Sequence, residues 1–237
     1  MSELKERSIS PHLIKAYREA IYVVHLGDKE VVLQVGKVSA ELAELMKDWE
    51  VTSAAFLTAF NPYSQVVDPT ENELRQKKMW ADAQPLCPKI LPGIGRDKND
   101  QWPHELSMLA LGIRLEDAQT LADRYEQNAF LWISNEQGFV SLKLRHPIAE
   151  PTEQELYEWT LGLSQAHMLA VLRGSYPDLK WLMTISEVER EHWLFPQYWD
   201  LNQAWPLATP DGTAISAGTE MDRMFKLTAS GLEKFYS

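Results

Sequence analysis

The run from Val51 to Phe60 constrains this chain more than any other stretch. It is almost continuously apolar, and it stops at Asn61-Pro62-Tyr63, where proline cannot donate the next ladder hydrogen bond. Such a run reads as a central strand. A central strand in turn commits the chain to a sheet whose neighbours come from elsewhere in the sequence.

Those neighbours are legible. Ile21 to Leu26 and Val31 to Val35 are β-branched runs separated by Gly27-Asp28-Lys29-Glu30, the pattern of a hairpin. Leu106 to Ile113 is another apolar run, and Ala129 to Ile133 with Phe139 to Leu144 flank a turn at Asn135 to Gly138. Caps and stripes mark the helices. Ser10-Pro11 precedes Leu13, Ala16, Tyr17 and Ala20, and Ser39 precedes Leu42, Leu45, Met46 and Trp49. Thr70-Glu71-Asn72-Glu73 is a capping box opening a helix to about Ala83, while Leu115, Ala118, Leu121, Ala122 and Tyr125 share one helical face. The expectation for residues 1–145 is an α+β domain, a mixed or antiparallel sheet with helices on one face.

Two prolines between His146 and Pro151 read as a linker over 146–151. A second capping box, Thr152-Glu153-Gln154-Glu155, opens a helix that is apolar nearly all round up to Gly174. The segment 152–237 as a whole reads as a mainly helical or irregular, tryptophan-rich subdomain, with a short strand at Met224 to Leu227 and a terminal helical turn at Leu232 to Tyr236.

Charge narrows the partners. The 237 residues carry 23 Lys and Arg against 34 Asp and Glu, a net charge of −11, which repels phosphate backbones and anionic lipid surfaces. Neither nonspecific nucleic-acid binding nor membrane association is expected. No apolar stretch is long enough to span a bilayer, MSELKERSIS has no signal-peptide core, and a single cysteine allows no internal disulfide, so a cytoplasmic location is expected. The charge is concentrated towards the end: −5 over residues 1–150 and −6 over the last 87. Five of the nine tryptophans also lie after residue 150. A basic protein is the partner such a surface favours, with Trp193, Trp199, Trp205, Glu189 and Glu191 as candidate contacts. Alternatively, the indoles fill the core of a small subdomain poor in Leu and Ile.

Motif spacing removes several chemistries. Gly93-Ile94-Gly95-Arg96-Asp97-Lys98 lacks the third glycine of a dinucleotide fingerprint and reads as a loop. There is no Walker A sequence and no Gly-x-Ser-x-Gly elbow, and His104-Glu105 is followed by Leu106-Ser107-Met108 rather than a second histidine. Glu189-Arg190-Glu191-His192 holds one Glu-x-x-His step where a di-metal site needs two, so neither a metal nor a cofactor is expected. Cys87 has no helix start or nearby histidine to lower its pKa and reads as a small buried hydrophobe.

What remains is a set of polar residues at strand ends. Asn61 and Tyr63 follow the central strand, Asn72 lies in the next helix's first turn, Arg96 sits at the glycine-rich bend, and Glu105 and Gln127 each precede an apolar strand. Such groups can converge at one edge of a sheet. There Glu105 is the candidate general base or hydrogen-bond acceptor and Arg96 the candidate anion contact. The same residue types also cap strands and satisfy loop amides, so a structural role stays open beside the chemical one.

Several of these residues carry a family pattern. Thr58-Ala59-Phe60-Asn61-Pro62, Glu71-Asn72-Glu73-Leu74, Gly95, Trp102 to Glu105 with Leu109 to Ile113, and Ala118 to Ala129 together resemble the bacterial domain of unknown function 3293, over about residues 15–145. The resemblance implies a bacterial α+β domain in which Asn61, Asn72, Glu105 and Gln127 match recurring positions, and it implies no activity. Two functions are therefore carried forward. One is a non-catalytic, immunity-like or inhibitor-like factor that binds a basic protein. The other is a small-ligand binder or enzyme using Asn61, Tyr63, Asn72, Arg96, Glu105 and Gln127.

Overall fold

The computed structural model describes residues 7–98, 103–134, 137–161, 180, 183–184, 206–208, 214–216, 225–228 and 231–234. The chain divides into two compact units, one holding residues 1–7 and 16–147 and the other 8–15 with 148–237. Helix α1 (Pro11–Glu19) opens at Ser10, whose Oγ accepts from Leu13 N at 3.2 Å.

In the first unit, strands β1 (Ile21–Leu26) and β2 (Lys29–Leu33) form the hairpin, followed by α2 (Ala40–Asp48), β3 (Ala54–Thr58) and α3 (Pro69–Ala83). Strands β4 (Lys89–Arg96) and β5 (Glu105–Leu111), helix α4 (Leu115–Arg124), and strands β6 (Ala129–Ile133) and β7 (Val140–Leu144) complete it. The seven strands make one sheet in the order β2-β1-β4-β5-β3-β6-β7, antiparallel at every pairing. Strand β3 is central, between β5 and β6, and Ala54, Ala55, Phe56 and Leu57 are all buried.

The α+β class with an antiparallel sheet is as the sequence implies. The helices, however, occupy both faces. Ala55 and Leu57 pack with Met79 and Ala83 of α3 and Leu121 and Ala122 of α4. Ala54 and Phe56 point the other way, towards Leu42 and Met46 of α2 with Leu109 and Leu131. The reason is the pattern of β5, β3 and β6: alternate residues are apolar on either side, and each buried aliphatic side chain contributes about 1.5–3 kcal/mol only if something covers it.

Two local expectations are corrected. Gly93 to Arg96 is strand, not loop: a Cβ at Gly93 would stand 2.6 Å from Val23 O and 2.7 Å from Phe56 Cε2, so the glycine lets the Phe56 ring lie across β4. Helix α3 begins at Pro69 rather than at a Thr70 capping box, because Asp68 Oδ1 accepts from Thr70 N at 2.8 Å and Pro69 presets the first helical φ.

In the second unit, α5 (Glu153–Leu161) has the expected reciprocal cap, Glu155 N donating to Thr152 Oγ1 at 3.2 Å and Thr152 N to Glu155 Oε2 at 2.8 Å. Two short hairpins are present, β8 (Pro206–Ala208) with β9 (Ala214–Ser216) and β10 (Phe225–Thr228) with β11 (Gly231–Lys234). The terminal segment expected as a helical turn is therefore strand over 231–234, paired Leu227 to Leu232; one helical turn is below the length that nucleates, whereas a neighbouring strand satisfies its backbone at once. The apolar helix expected beyond Leu161, and Trp193, Trp199, Trp205, Glu189 and Glu191, lie outside the described residues. Among the described residues, no helix is long and apolar enough to cross a membrane.

Candidate functional site

The antiparallel order brings the end of β3, the end of β4 and the starts of β1, β5 and β6 to one edge of the sheet. Register sharpens this. Gly95 of β4 pairs with Tyr22 of β1 on one side and Glu105 of β5 on the other. Residues directly opposite one another project to the same face, so a row reads tyrosine, nothing, carboxylate. A cavity of about 90 Å³ opens there, lined among others by Tyr22, Phe56, Asn61, Glu105, Gln127 and Asn128.

Glu105 is the chemical centre of this cavity. Its Oε1 accepts from Asn61 Nδ2 at 2.6 Å, and no lysine, arginine or histidine among the described residues pairs with it. Burial pushes its carboxyl above the usual glutamate range, with the Asn61 hydrogen bond pulling the other way. Asn61 is itself clamped: its backbone N donates to Asn72 Oδ1 at 2.7 Å, and its Oδ1 accepts from Asn72 Nδ2 at 2.9 Å. Gln127 Nε2 donates to Phe60 O at 3.0 Å and Tyr125 O at 3.1 Å, holding the end of β3 against the loop that enters β6.

Residues 57–130 match the family described as Protein of unknown function (DUF3293). The matched segment runs from β3 into β6 and contains Asn61, Asn72, Glu105 and Gln127, a narrower span than the resemblance over 15–145; Tyr17 and Tyr22 of the cavity precede it. No curated protein and no solved structure matches the chain.

The loop leaving β3 is strained. Asn61, Tyr63 and Ser64 have φ of 47°, 54° and 60°, left-handed values that cost a non-glycine residue about 1–3 kcal/mol each. The surroundings hold them there. Tyr63 N donates to Glu126 O at 2.6 Å, and the Ser64 hydroxyl is hydrogen-bonded to the Tyr17 hydroxyl. Asn128 Nδ2 donates to that same pair, to Tyr17 Oη at 3.1 Å and Ser64 Oγ at 3.2 Å. Behind the loop, Gln76 Oε1 accepts from Ala59 N at 2.7 Å, and Arg75 donates to Ala59 O at 3.0 Å and Tyr125 O at 2.7 Å. Tyr22 Oη donates to Tyr17 O at 2.7 Å, and burial pushes both phenols up, so neither is a base at neutral pH.

Of the six residues singled out from the sequence, Asn61, Glu105 and Gln127 line the cavity and Asn72 stands one hydrogen bond behind it. Arg96 and Tyr63 do not line it. Arg96 follows Gly95 on the strand, so pleating sends its side chain to the opposite face; its register partner is Ile21 and its Nε is buried without a hydrogen-bond partner. Tyr63 turns its ring to Arg7, whose guanidinium carbon lies 3.4 Å from the ring centroid, and to His146 at 5.9 Å. Tyr17, Tyr22, Ser64 and Asn128 also line the cavity, and no local pattern in the sequence singles them out for it. The neighbouring position to Gln127 was the only available hint of Asn128, and nothing in the sequence signals that Ser64 takes a positive φ. Cys87, half-buried, donates to Ala83 O at 3.4 Å, and burial pushes its thiol up. Among the described residues no group of three or more His, Cys, Asp or Glu is placed to hold a metal.

Proposed function

We propose that the DUF3293-containing unit binds a small molecule in the cavity at the strand ends, with Glu105 as the group that accepts a hydrogen bond or a proton from it. One observation carries this: a half-buried carboxylate faces a cavity, is oriented by an Asn61–Asn72 clamp, and has no cationic partner among the described residues. Structural carboxylates are ordinarily paired or fully hydrogen-bonded, whereas groups held in perturbed states in cavities are typical of binding and catalytic sites. The test is a fragment screen by heteronuclear NMR on the full chain. Saturable shifts confined to amides around Tyr22, Gly95 and Glu105 are expected, and a screen in which no fragment moves those amides overturns the proposal.

A second function, binding of a basic protein by a cytoplasmic, immunity-like or inhibitor-like factor, rests on the net charge of −11 and the acidic, tryptophan-rich end of the sequence. Its contacts would be Trp193, Trp199, Trp205, Glu189 and Glu191. Affinity purification at moderate salt should then recover a stoichiometric basic partner whose retention falls steeply as salt rises; a partner-free monomer would count against it.

A further inference from the structure

The ligand class follows from hydrogen-bond bookkeeping, and the step rests on the cavity being the binding site. The donors along its wall are largely committed to the protein itself. Gln127 uses its amide nitrogen on Phe60 O and Tyr125 O, and Asn128 uses its own on Tyr17 Oη and Ser64 Oγ. The hydroxyls of Tyr22, Thr58 and Ser107 donate to the carbonyls of Tyr17, Leu106 and Glu105, at 2.7, 2.8 and 3.1 Å. Asn61 Nδ2 donates to Glu105. Apart from the second Asn61 Nδ2 hydrogen and one hydroxyl hydrogen of the Tyr17–Ser64 pair, what such a wall has left to offer is acceptors, and the strongest is the Glu105 carboxylate, which takes one hydrogen bond from the described residues where two oxygens can take several.

Three ligand chemistries can be compared against this wall. An anion would approach a carboxylate that has no cationic partner among the described residues, with few free donors to receive it. A neutral hydroxyl can supply one donor. A primary ammonium supplies three donors and the missing positive charge, and the rings of Tyr22 and Phe56, packed edge to face with centroids 5.6 Å apart, give its carbon chain an apolar surface.

We infer that this cavity receives the protonated amine of a small ligand, with the Glu105 carboxylate as its counter-ion and the space above Gly95 as its seat. A volume of about 90 Å³ limits the enclosed part to a few heavy atoms, so the amine is either a very small molecule or the end of a longer one reaching in from the open side.

The experiment titrates full-length protein with propylammonium, 1-propanol and propionate, three probes of nearly equal size and different charge, following the amides of Tyr22, Gly95, Glu105 and Ser107. Propylammonium should bind at least about tenfold more tightly than 1-propanol, the scale of one charge-assisted hydrogen bond, and propionate should not bind. Glu105→Gln, which keeps an acceptor for Asn61, should remove the preference for the cation. Gly95→Ala should weaken propylammonium severalfold while folding normally, because the added Cβ meets nothing closer than 3.7 Å. If 1-propanol or propionate matches propylammonium, or Glu105→Gln keeps the cation preference, the amine assignment is overturned while the cavity stands as a binding site. If no probe shifts these amides, or Gly95→Ala changes nothing for a probe that does bind, the cavity itself is rejected and the amine assignment with it.

Discussion

Asn61 Nδ2 and Glu105 Oε1, 44 residues apart in the chain, are joined by a hydrogen bond of 2.6 Å in the wall of the cavity. The bond is formed because β3 ends and β5 begins at the same edge, and because Asn61 is held in the left-handed region by Asn72. Asn61→Gly keeps that backbone conformation accessible and deletes only the side chain. It should cost about 1–3 kcal/mol, since Asn72 and Glu105 both lose partners. It should also raise the Glu105 pKa further, which a carbon-detected titration of the Glu105 carboxyl would read; an unchanged or lower value would contradict the geometry.

Glu105 also gives the fold a pH dependence of definite sign. Its folded-state pKa lies above the ordinary glutamate value, so between the unfolded and folded values the native state holds the proton more tightly. The stabilisation is complete below the unfolded value and is lost as pH rises through the folded one. Urea midpoints of wild type should therefore contain a component that declines over that window, and Glu105→Gln, which does not titrate, should lack it.

Asp82 works in the opposite direction. Hydrogen bonds from the Tyr125 hydroxyl at 2.8 Å and Arg124 at 3.0 Å pull its carboxyl below the usual range, and burial, together with the same contact, pushes the Tyr125 phenol up to about 12. Stability from this contact is present above the unfolded aspartate value and is lost as pH falls through the folded one. Tyr125→Phe should bring the Asp82 value back up towards normal in an NMR titration; no change would mean the hydrogen bond does not persist in solution.

The two glycines of β4 should respond differently to the same added methyl group. At Gly93 it collides with Val23 O and Phe56 Cε2, both under 3.0 Å, so Gly93→Ala forces either backbone or ring to move and should cost about 1–3 kcal/mol. At Gly95 it enters the cavity at ordinary contact distance and should leave the melting temperature within a few degrees of wild type. Comparable melting temperatures for the two variants would refute this account of β4.

Gln76 is a polar residue buried for the sake of one bond. Its Oε1 accepts from the N of buried Ala59, two residues before the strained loop. Gln76→Leu matches it in bulk and leaves that amide unpaired but also removes the buried Gln76 Nε2, which has no partner among the described residues, so a net loss of about 1 kcal/mol is expected, with faster hydrogen exchange at Ala59 as the specific readout.

The elements of the first unit were legible because each is announced locally. The apolar run of β3, the Gly27 turn of the β1–β2 hairpin and the Ser39 cap of α2 depend on neighbours within a few residues, and the structure has all three. Gly93 and Gly95 are not legible as strand in the sequence, for the opposite reason. Glycine in a strand looks like a loop until one knows that the Phe56 ring, 37 residues earlier, needs the space above Gly93.

The candidate site divides in the same way. Residue type at strand ends was enough to single out Asn61, Asn72, Glu105 and Gln127, because polar groups next to buried strands must find partners. Which of them share a cavity was decided only by strand order and register. Those place Glu105 opposite Gly95 with Tyr22 beyond, and send Arg96 to the other face of the same strand by the period of two. Tyr17, Ser64 and Asn128 join only through contacts between residues 47 to 111 positions apart, which no local pattern encodes. By itself, then, the sequence determined a chain of α+β elements, its acidity and the polar residues at its strand ends, all of them consequences of local propensity and side-chain chemistry. Tertiary structure alone decided that one carboxylate faces a cavity whose donors are largely spent, because pairing across strands, not order along the chain, sets which groups meet.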